Sequence, residues 1–372
     1  MNILYIGPYR QSDGWGQAAQ QYIQALVTSN NNIAIRPIFM SSNTTNDIHP
    51  DILTLESEKL PYYDVVIQHV LPHLLDGKND HYKTLGLCLF ETDNLQHTPW
   101  IHHINNTDGI IVSSKKEIEI AKNSGVTVPL QQIPIPVDVL KFEKQYEYNS
   151  WNNANWKDSF VFYCIGEYVD RKNIHALVKA FHREFHPHEN VELVIKTSRT
   201  GLTSKKLERY INEDLTKLKQ TLGLYHDISH YKQEWIITEH ISEHNLYALH
   251  QISDCFVMPS HGEACCMPLM DAIGFGKQTI ITSNTGMESY TNSNISQIIN
   301  SYEVPVCTKD KPLPFLYTGH ETWMEIDILH MQKAMRKAYN MKGLDRMKHA
   351  SFCKQWVNNF SYDNIGRIFN QL

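Results

Sequence analysis

Short apolar runs alternate with stretches of helical spacing along most of the chain, the pattern of parallel strands joined by crossover helices. Asn2–Gly7 is the first run, followed by a polar loop from Pro8 to Gly16 and a helix through about Val27 with Ala18, Tyr22, Ala25 and Leu26 on one face. Ile33–Met40 predicts a strand, with Pro37 marking an edge or a bulge because proline cannot donate to a ladder. Asp64–Gln68 and Leu85–Phe90 predict two more, ending in His69 and Glu91. Gly109–Val112 is another, with a helix from about Ser114 to Asn123 and an extended, proline-bearing exit over Val128–Val137. Residues 138 to 158 break the pattern. Their Asn-rich Tyr148–Trp156 stretch has no periodicity and marks an interdomain region.

A second series of the same kind begins at Phe160–Ile165. Asn173 is placed to cap a helix through about Phe185, and Val191–Lys196 predicts a strand. A helix over Lys205–Leu222, a strand over Trp235–Thr238 and a Ser242-capped helix through about Gln251 lead to the strand Cys255–Met258. Thr279–Thr282 is the next strand, and about Ile328–Leu372 is helical. Between Met258 and Gly276 lies the most informative stretch, MPSHGEACCMPLMDAIGFG. A buried strand stops at Pro259, a polar turn carries Glu263, and Pro268 opens a helix with Asp271 in its first turn. Such a junction aims free backbone N–H groups and a positive dipole end at an anion. An acid on either side suits a ligand with a central diphosphate and hydroxyl-rich ends, such as a nucleotide sugar.

The stretch resembles the signature of family 4 GT-B glycosyltransferases, P-S-x-x-E-G-F-G-x-P-x-x-E-A-x-x-x-G. Pro259, Ser260, Glu263, Pro268, Asp271, Ala272 and Gly276 stand in register, while Ala264 and Cys266 replace glycines and Asp271 a glutamate. The resemblance implies an α/β GT-B fold: two Rossmann-like domains facing each other across an open cleft, with the C-terminal helix crossing back to the first. On that reading residues 1–145 form the acceptor domain, 155–345 the nucleotide-sugar donor domain, and 346–372 a helical segment packing back on the first. It implies a retaining transfer from a UDP-, GDP- or ADP-sugar to a glycan, lipid-linked or other acceptor hydroxyl. No metal or other cofactor is required, and a front-face mechanism follows from the lack of a carboxylate nucleophile.

Residue by residue, the resemblance places Lys172 and Arg171 on the leaving phosphates, with Glu167 where the family has its arginine. It places Glu263 on the sugar hydroxyls, Asp271 on the ribose, and the turn Ala264, Cys265, Cys266 and Met267 against the donor. It also places His69 near the sugar, and gives the loop of Gly14 and Gly16 a closing role. From position alone, Lys196 ends a strand beside the same cleft, and Glu91 follows a strand end where ligands gather in open parallel sheets. Each has a plainer reading: tight glycine turns, solvated strand-end charges and dipole-stabilising acids look the same in sequence. Two other functions stay open, an epimerase-like enzyme of the same fold and a catalytically weak sugar-nucleotide-binding or scaffold protein.

Composition narrows this further. At 372 residues the chain is long enough for two cores. A net charge of −6 argues against broad phosphate-backbone binding, although a nucleic-acid acceptor stays open. Seven cysteines at irregular spacing make no disulfide framework or metal cluster, and Cys265-Cys266 reads as packing rather than redox chemistry. No apolar run is long enough to span a membrane, and the N-terminus has no basic leader, so the expected location is cytoplasmic. Lys333, Arg336, Lys337, Lys342, Arg346 and Lys348 alternate with Met331, Met335 and Met341. That run fits an ordinary amphipathic surface helix first and a peripheral membrane contact second.

Overall fold

A computed structural model describes residues 1–40, 44–45, 48–147, 158–308 and 316–372. The Asn-rich stretch expected between the halves, Tyr148–Trp156, lies outside the described residues. The first half runs β1 (Asn2–Gly7), α1 (Gly14–Val27), β2 (Asn32–Pro37), α2 (Pro50–Ser57), β3 (Val65–His69), β4 (Lys83–Leu87), α3 (Trp100–Asn105), β5 (Gly109–Val112), α4 (Lys115–Asn123) and β6 (Leu130–Gln132). Its six parallel strands stand in the order β2-β1-β3-β4-β5-β6. Strands such as β3 and β5 are buried along their whole length, which explains why they read as continuous apolar runs rather than alternating ones.

The second half runs β7 (Phe160–Glu167), α5 (Ile174–Glu184), β8 (Val191–Ser198), α6 (Ser204–Leu222), β9 (Trp235–Ile237), α7 (Glu243–Ile252), β10 (Cys255–Met258), α8 (Met267–Gly274), β11 (Gln278–Thr282) and β12 (Ser296–Ile299). These strands are also parallel, in the order β12-β11-β10-β7-β8-β9. An antiparallel hairpin of β13 (Ser301–Pro305) and β14 (Thr322–Ile326) follows, then α9 (Ile328–Asn340), α10 (Gly343–Val357) and α11 (Tyr362–Phe369).

In each sheet the direction of strand addition reverses once, between β1 and β3 in the first and between β7 and β10 in the second. The loops leaving the carboxyl ends of the two strands diverge there and open a crevice. The Gly14–Gly16 turn follows β1 and His69 ends β3; Arg171 and Lys172 follow β7 and Glu263 follows β10.

Local differences from the sequence pattern have identifiable causes. The strand read over Ile33–Met40 ends at Pro37 on the sheet edge. The strand read over Leu85–Phe90 stops at Leu87, because Phe90 N–H turns away to the Glu117 carboxylate at 2.7 Å. Ser114, Ser242 and Ser361 cap their helices through side-chain oxygens. Asn173 does not. It adopts a left-handed backbone, φ 51°, and its amide reaches Glu325 at 3.1 Å. Met331 and Met335 are buried, and Arg336 of the same helix pairs with Glu184 and Glu189, so α9 is an ordinary core-facing helix.

Of residues 346–372, those in α10 pack on α8, whereas α11 packs on α1 of the first half. Ile365 and Phe369 enter the first-half core beside Tyr22. Gly366 faces α1 so closely that a Cβ would lie 2.6 Å from the Ala25 carbonyl and 2.3 Å from Thr28 Oγ1. Gly366→Ala gains helix propensity worth about 1 kcal/mol, yet a backbone carbonyl cannot yield, so overpacking of about 1–3 kcal/mol wins. Urea unfolding of the variant is expected to show a lower midpoint.

Candidate functional site

The residues that follow β7 and β10 form one cluster. Arg171 and Lys172 lie on a tight turn over Asp170–Lys172, tied to the other loop by Ser260 Oγ and His261 N, which donate to the Arg171 carbonyl at 2.9 and 2.8 Å. Lys172 Nζ lies 2.6 Å from Glu263 Oε1, and Arg171 Nη1 lies 3.0 Å from the same oxygen while donating to the Gly262 carbonyl at 2.6 Å. Arg171 Nη2 reaches across to the first half and meets Glu91 Oε1 at 2.8 Å.

The electrostatics follow from burial. Desolvation works against the Glu263 carboxylate, but Lys172 and Arg171 outweigh it and hold its pKa below the ordinary range. Burial likewise works against the Arg171 cation, and Glu91 and Glu263 reverse that, leaving its pKa raised.

The backbone turn after Glu263 is covered by the protein's own atoms. Gly286 N donates to the Glu263 carbonyl at 2.8 Å, and a Cβ on Gly286 would lie 2.0 Å from the Ala264 carbonyl oxygen. Ser113 Oγ of the first half lies 3.3 Å from that same oxygen. Cys265 packs between the two cores, Met267 packs on the first-half core, and a Cβ on Gly14 would lie 3.7 Å from Met267 Cε. Cys266 is buried, which pushes its thiol up to about 12. Gly16 is buried where a Cβ would lie 2.0 Å from the Gln11 carbonyl, so the turn itself requires glycine there. The open cleft expected from the sequence is therefore shut. What remains is a space of about 30 Å³ lined by Glu91, Glu117, Glu263, Gly286 and Trp323 among others, room for about one water.

Three sequence candidates stand apart from the cluster. Asp271 lies in the second turn of α8 rather than the first, and its carboxylate pairs with Lys141 at 2.6 Å. Lys141 Nζ also sits over the Tyr247 ring at 4.7 Å, so this acid is neutralised from behind the helix. His69 is fully buried behind Trp15, whose ring lies 5.7 Å away. Its Nδ1 is 2.6 Å from the Tyr5 hydroxyl, Nε2 has no partner among the described residues, and burial lowers its pKa to about 3. Lys196 donates to the neighbouring Thr197 carbonyl at 3.3 Å, and burial lowers its pKa.

Other residues help to close the cleft. Asp93, which follows the same strand end as Glu91 and is a candidate on that position, accepts from Thr322 N and Oγ1 at 3.0 and 2.6 Å, and Tyr317 donates to the Glu91 carbonyl at 3.3 Å. Lys141, Thr322 and Tyr317 were not singled out in the sequence and carry no local signal. Glu117 does: Ser114-x-x-Glu117 is a capping-box pattern. Its carboxylate accepts from Phe90 N, Ser113 N and the hydroxyls of Ser113 and Ser114, all at 2.6–3.0 Å. Ser113 has one hydroxyl proton for two acceptors, Glu117 and Ala264. A protonated Glu117 can donate to Ser113 Oγ and release that proton toward Ala264.

Among the described residues no group of three or more His, Cys, Asp or Glu side chains is placed to hold a metal ion, and no helix is long and apolar enough to cross a membrane.

This architecture is the GT-B fold. The trehalose-6-phosphate protein from E. coli bound with UDP-2-fluoro glucose superposes with a TM-score of 0.69 at 8% identity, over 100% of this chain and 98% of that one. The N-terminal domain of the Candida albicans trehalose-6-phosphate phosphatase gives 0.67 at 11% identity, over 100% and 96%. Sucrose-phosphate synthase from Thermosynechococcus elongatus gives 0.65 at 13%, over 100% and 98%. Residues 147–301, which include the cluster's second-half members, match the family described as "Glycosyl transferases group 1". No curated protein matches the chain. Fold and family match together support a glycosyltransferase.

Glu117 makes the closed junction pH-dependent. Burial lifts its carboxyl from 4.5 to about 7 against the hydrogen bonds that favour the charged form. Sign follows from proton uptake: between these values the folded state holds a proton that the unfolded state has released. Its contribution is full below about 4.5 and is lost as pH rises through about 7, on the order of 3 kcal/mol at full ionisation. Buried His69, neutral in the folded state, gives the opposite slope over much of this range, so the Glu117 contribution is read as a difference. The unfolding free energy of the native protein minus that of Glu117→Gln should fall as pH rises from about 4.5 through about 7, whatever the variant's absolute stability.

Proposed function

We propose that this chain is a retaining glycosyltransferase that moves a sugar from a nucleotide-diphosphate donor to an acceptor hydroxyl. The carrying observation is the pairing of Lys172 and Arg171 at the second sheet's switch point, where the family match lies. Two cations beside a helix N-terminus can take up the charge that develops on a departing diphosphate, so the reading needs no metal. Glu263, held between them, is the group for the sugar hydroxyls. A front-face route, with the leaving phosphate accepting the acceptor's proton, fits a cluster whose buried carboxylate is committed to two cations.

In the closed structure Arg171 is neutralised by Glu91 from the opposite half. A donor diphosphate offers the same charge, so donor binding and closure of the cleft onto Glu91 compete for Arg171. The E. coli neighbour holds a UDP-sugar, which makes UDP-glucose the first donor to test, with GDP- and ADP-sugars beside it. A scaffold role is the second reading, favoured by the Lys141–Asp271 pair, which occupies the acid proposed for the ribose. Such a protein binds donor and neither hydrolyses nor transfers it.

A donor should raise the melting temperature, by about 2.7 kcal/mol of added stability at a hundredfold excess over its Kd. Lys172→Ala and Glu263→Gln, checked for folding by circular dichroism, should each lower transfer or donor hydrolysis by roughly 10²-fold. Loss of less than a few-fold in both would refute the assignment. Glu91→Gln removes one competitor for Arg171, which keeps Glu263, and should tighten donor binding about fivefold, the modest worth of an ion pair whose carboxylate is partly exposed. Calorimetric titration reads that directly.

A further inference from the structure

α10 is apolar on both of its faces. The inner face packs: Cys353 and Val357 are buried, and Ala350 meets Gly276, where a Cβ would lie 2.9 Å from the Ala350 Cβ. Polar contacts fix the same face, with His349 Nε2 2.8 Å from the Ile295 carbonyl, Trp356 Nε1 donating to the Tyr290 carbonyl at 2.8 Å, and Arg346 paired with Asp254. The opposite face carries Leu344, Met347 and Phe352, exposed by 72%, 70% and 59%. Helical spacing places these three on one side, with Lys348 and Lys354, also exposed, among them.

Charge identifies what such a face would meet. Residues 328–357 hold seven Lys and Arg and a single acid, Asp345, in a chain whose total is −6; Arg336 and Arg346 are paired with Glu184, Glu189 and Asp254, which leaves five exposed lysines against Asp345. Of these, Lys333, Lys337 and Lys342 are exposed on the adjoining part of α9 and the bend that follows it. A second copy of the chain fits poorly, since a two-fold contact sets a patch against itself and would bring like charges together. Three large apolar side chains ringed by lysines match a bilayer surface, where apolar groups enter the acyl boundary and ammonium groups remain at anionic headgroups.

We propose that the outer face of α10 docks this protein on an anionic membrane surface. α10 lies at the amino ends of β10, β11 and β12, with its inner face on Asp254, Gly276 and Ile295, whereas the cluster of Arg171 and Glu263 lies at the carboxyl ends. It therefore holds the protein at the bilayer without blocking the cleft, and its test does not depend on the donor site.

Co-sedimentation of the full chain with phosphatidylcholine vesicles, with and without phosphatidylglycerol, decides the matter. Binding is expected to the anionic vesicles alone and to weaken with added salt. The triple variant Leu344→Ser, Met347→Ser, Phe352→Ser should lose at least about tenfold in vesicle affinity, and K348E with K354E a similar factor. All five side chains are exposed, so unchanged circular dichroism is expected, and the two variants act as independent checks. No binding to anionic vesicles, or binding untouched by both variants, overturns the proposal. So does a dimer in sedimentation velocity that the triple variant abolishes, because the face would then be a self-interface.

Discussion

A buried guanidinium has to be neutralised where it sits, and the neutralising groups of Arg171 come from both halves of the molecule. Leaving such a cation unpaired away from water costs several kcal/mol. Glu263 and the Gly262 carbonyl approach it from its own half, and Glu91 approaches from the other. Closing the halves and satisfying that charge are thus one event. The two switch points make it feasible, because each sheet sends its polar loops from carboxyl strand ends into the same gap. The clasp between Asp93 and Thr322 and the contact of Ser113 with Ala264 then complete a junction whose centre is already electrostatically balanced.

This balance shapes the proposed chemistry. Carboxylates occupy the cations that a diphosphate would use, so the shut form resembles a site holding its own anions. Donor entry on this view exchanges one set of negative charges for another and loosens the first half in the process. Glu117 adds a second dependence, since its proton decides how the single Ser113 hydroxyl hydrogen is shared. None of this needs the helix of Asp271 to contribute a free acid, and Lys141 shows that it does not in the closed form.

The two ends of the second sheet carry different properties. At the carboxyl ends the charges are buried and matched in opposite signs. At the amino ends α10 presents apolar side chains and lysines with nothing packed over them among the described residues. A helix that carries large apolar side chains on the face away from its core leaves them unsatisfied by that core, and the inference of a membrane surface rests on that imbalance.

Strand and helix identity were legible in the sequence, because the periodicities of apolar residues report local geometry. The runs at Asn2–Gly7, Gly109–Val112 and Cys255–Met258 read as buried strands from their composition alone. Ser114 and Ser242 announced their helices for the same reason: capping is a contact between residues three apart. The spacing that set Glu263 beyond a strand and Arg171-Lys172 before a helix was equally local. Tertiary structure alone decided which charges meet. Glu91 and Arg171 are eighty residues apart, Lys141 and Asp271 a hundred and thirty, and the clasp of Asp93 with Thr322 spans more than two hundred. No local pattern encodes such partners. Whether a carboxylate is a free ligand group or half of an ion pair depends on what the fold brings against it, since desolvation and Coulomb attraction act through space and not along the chain.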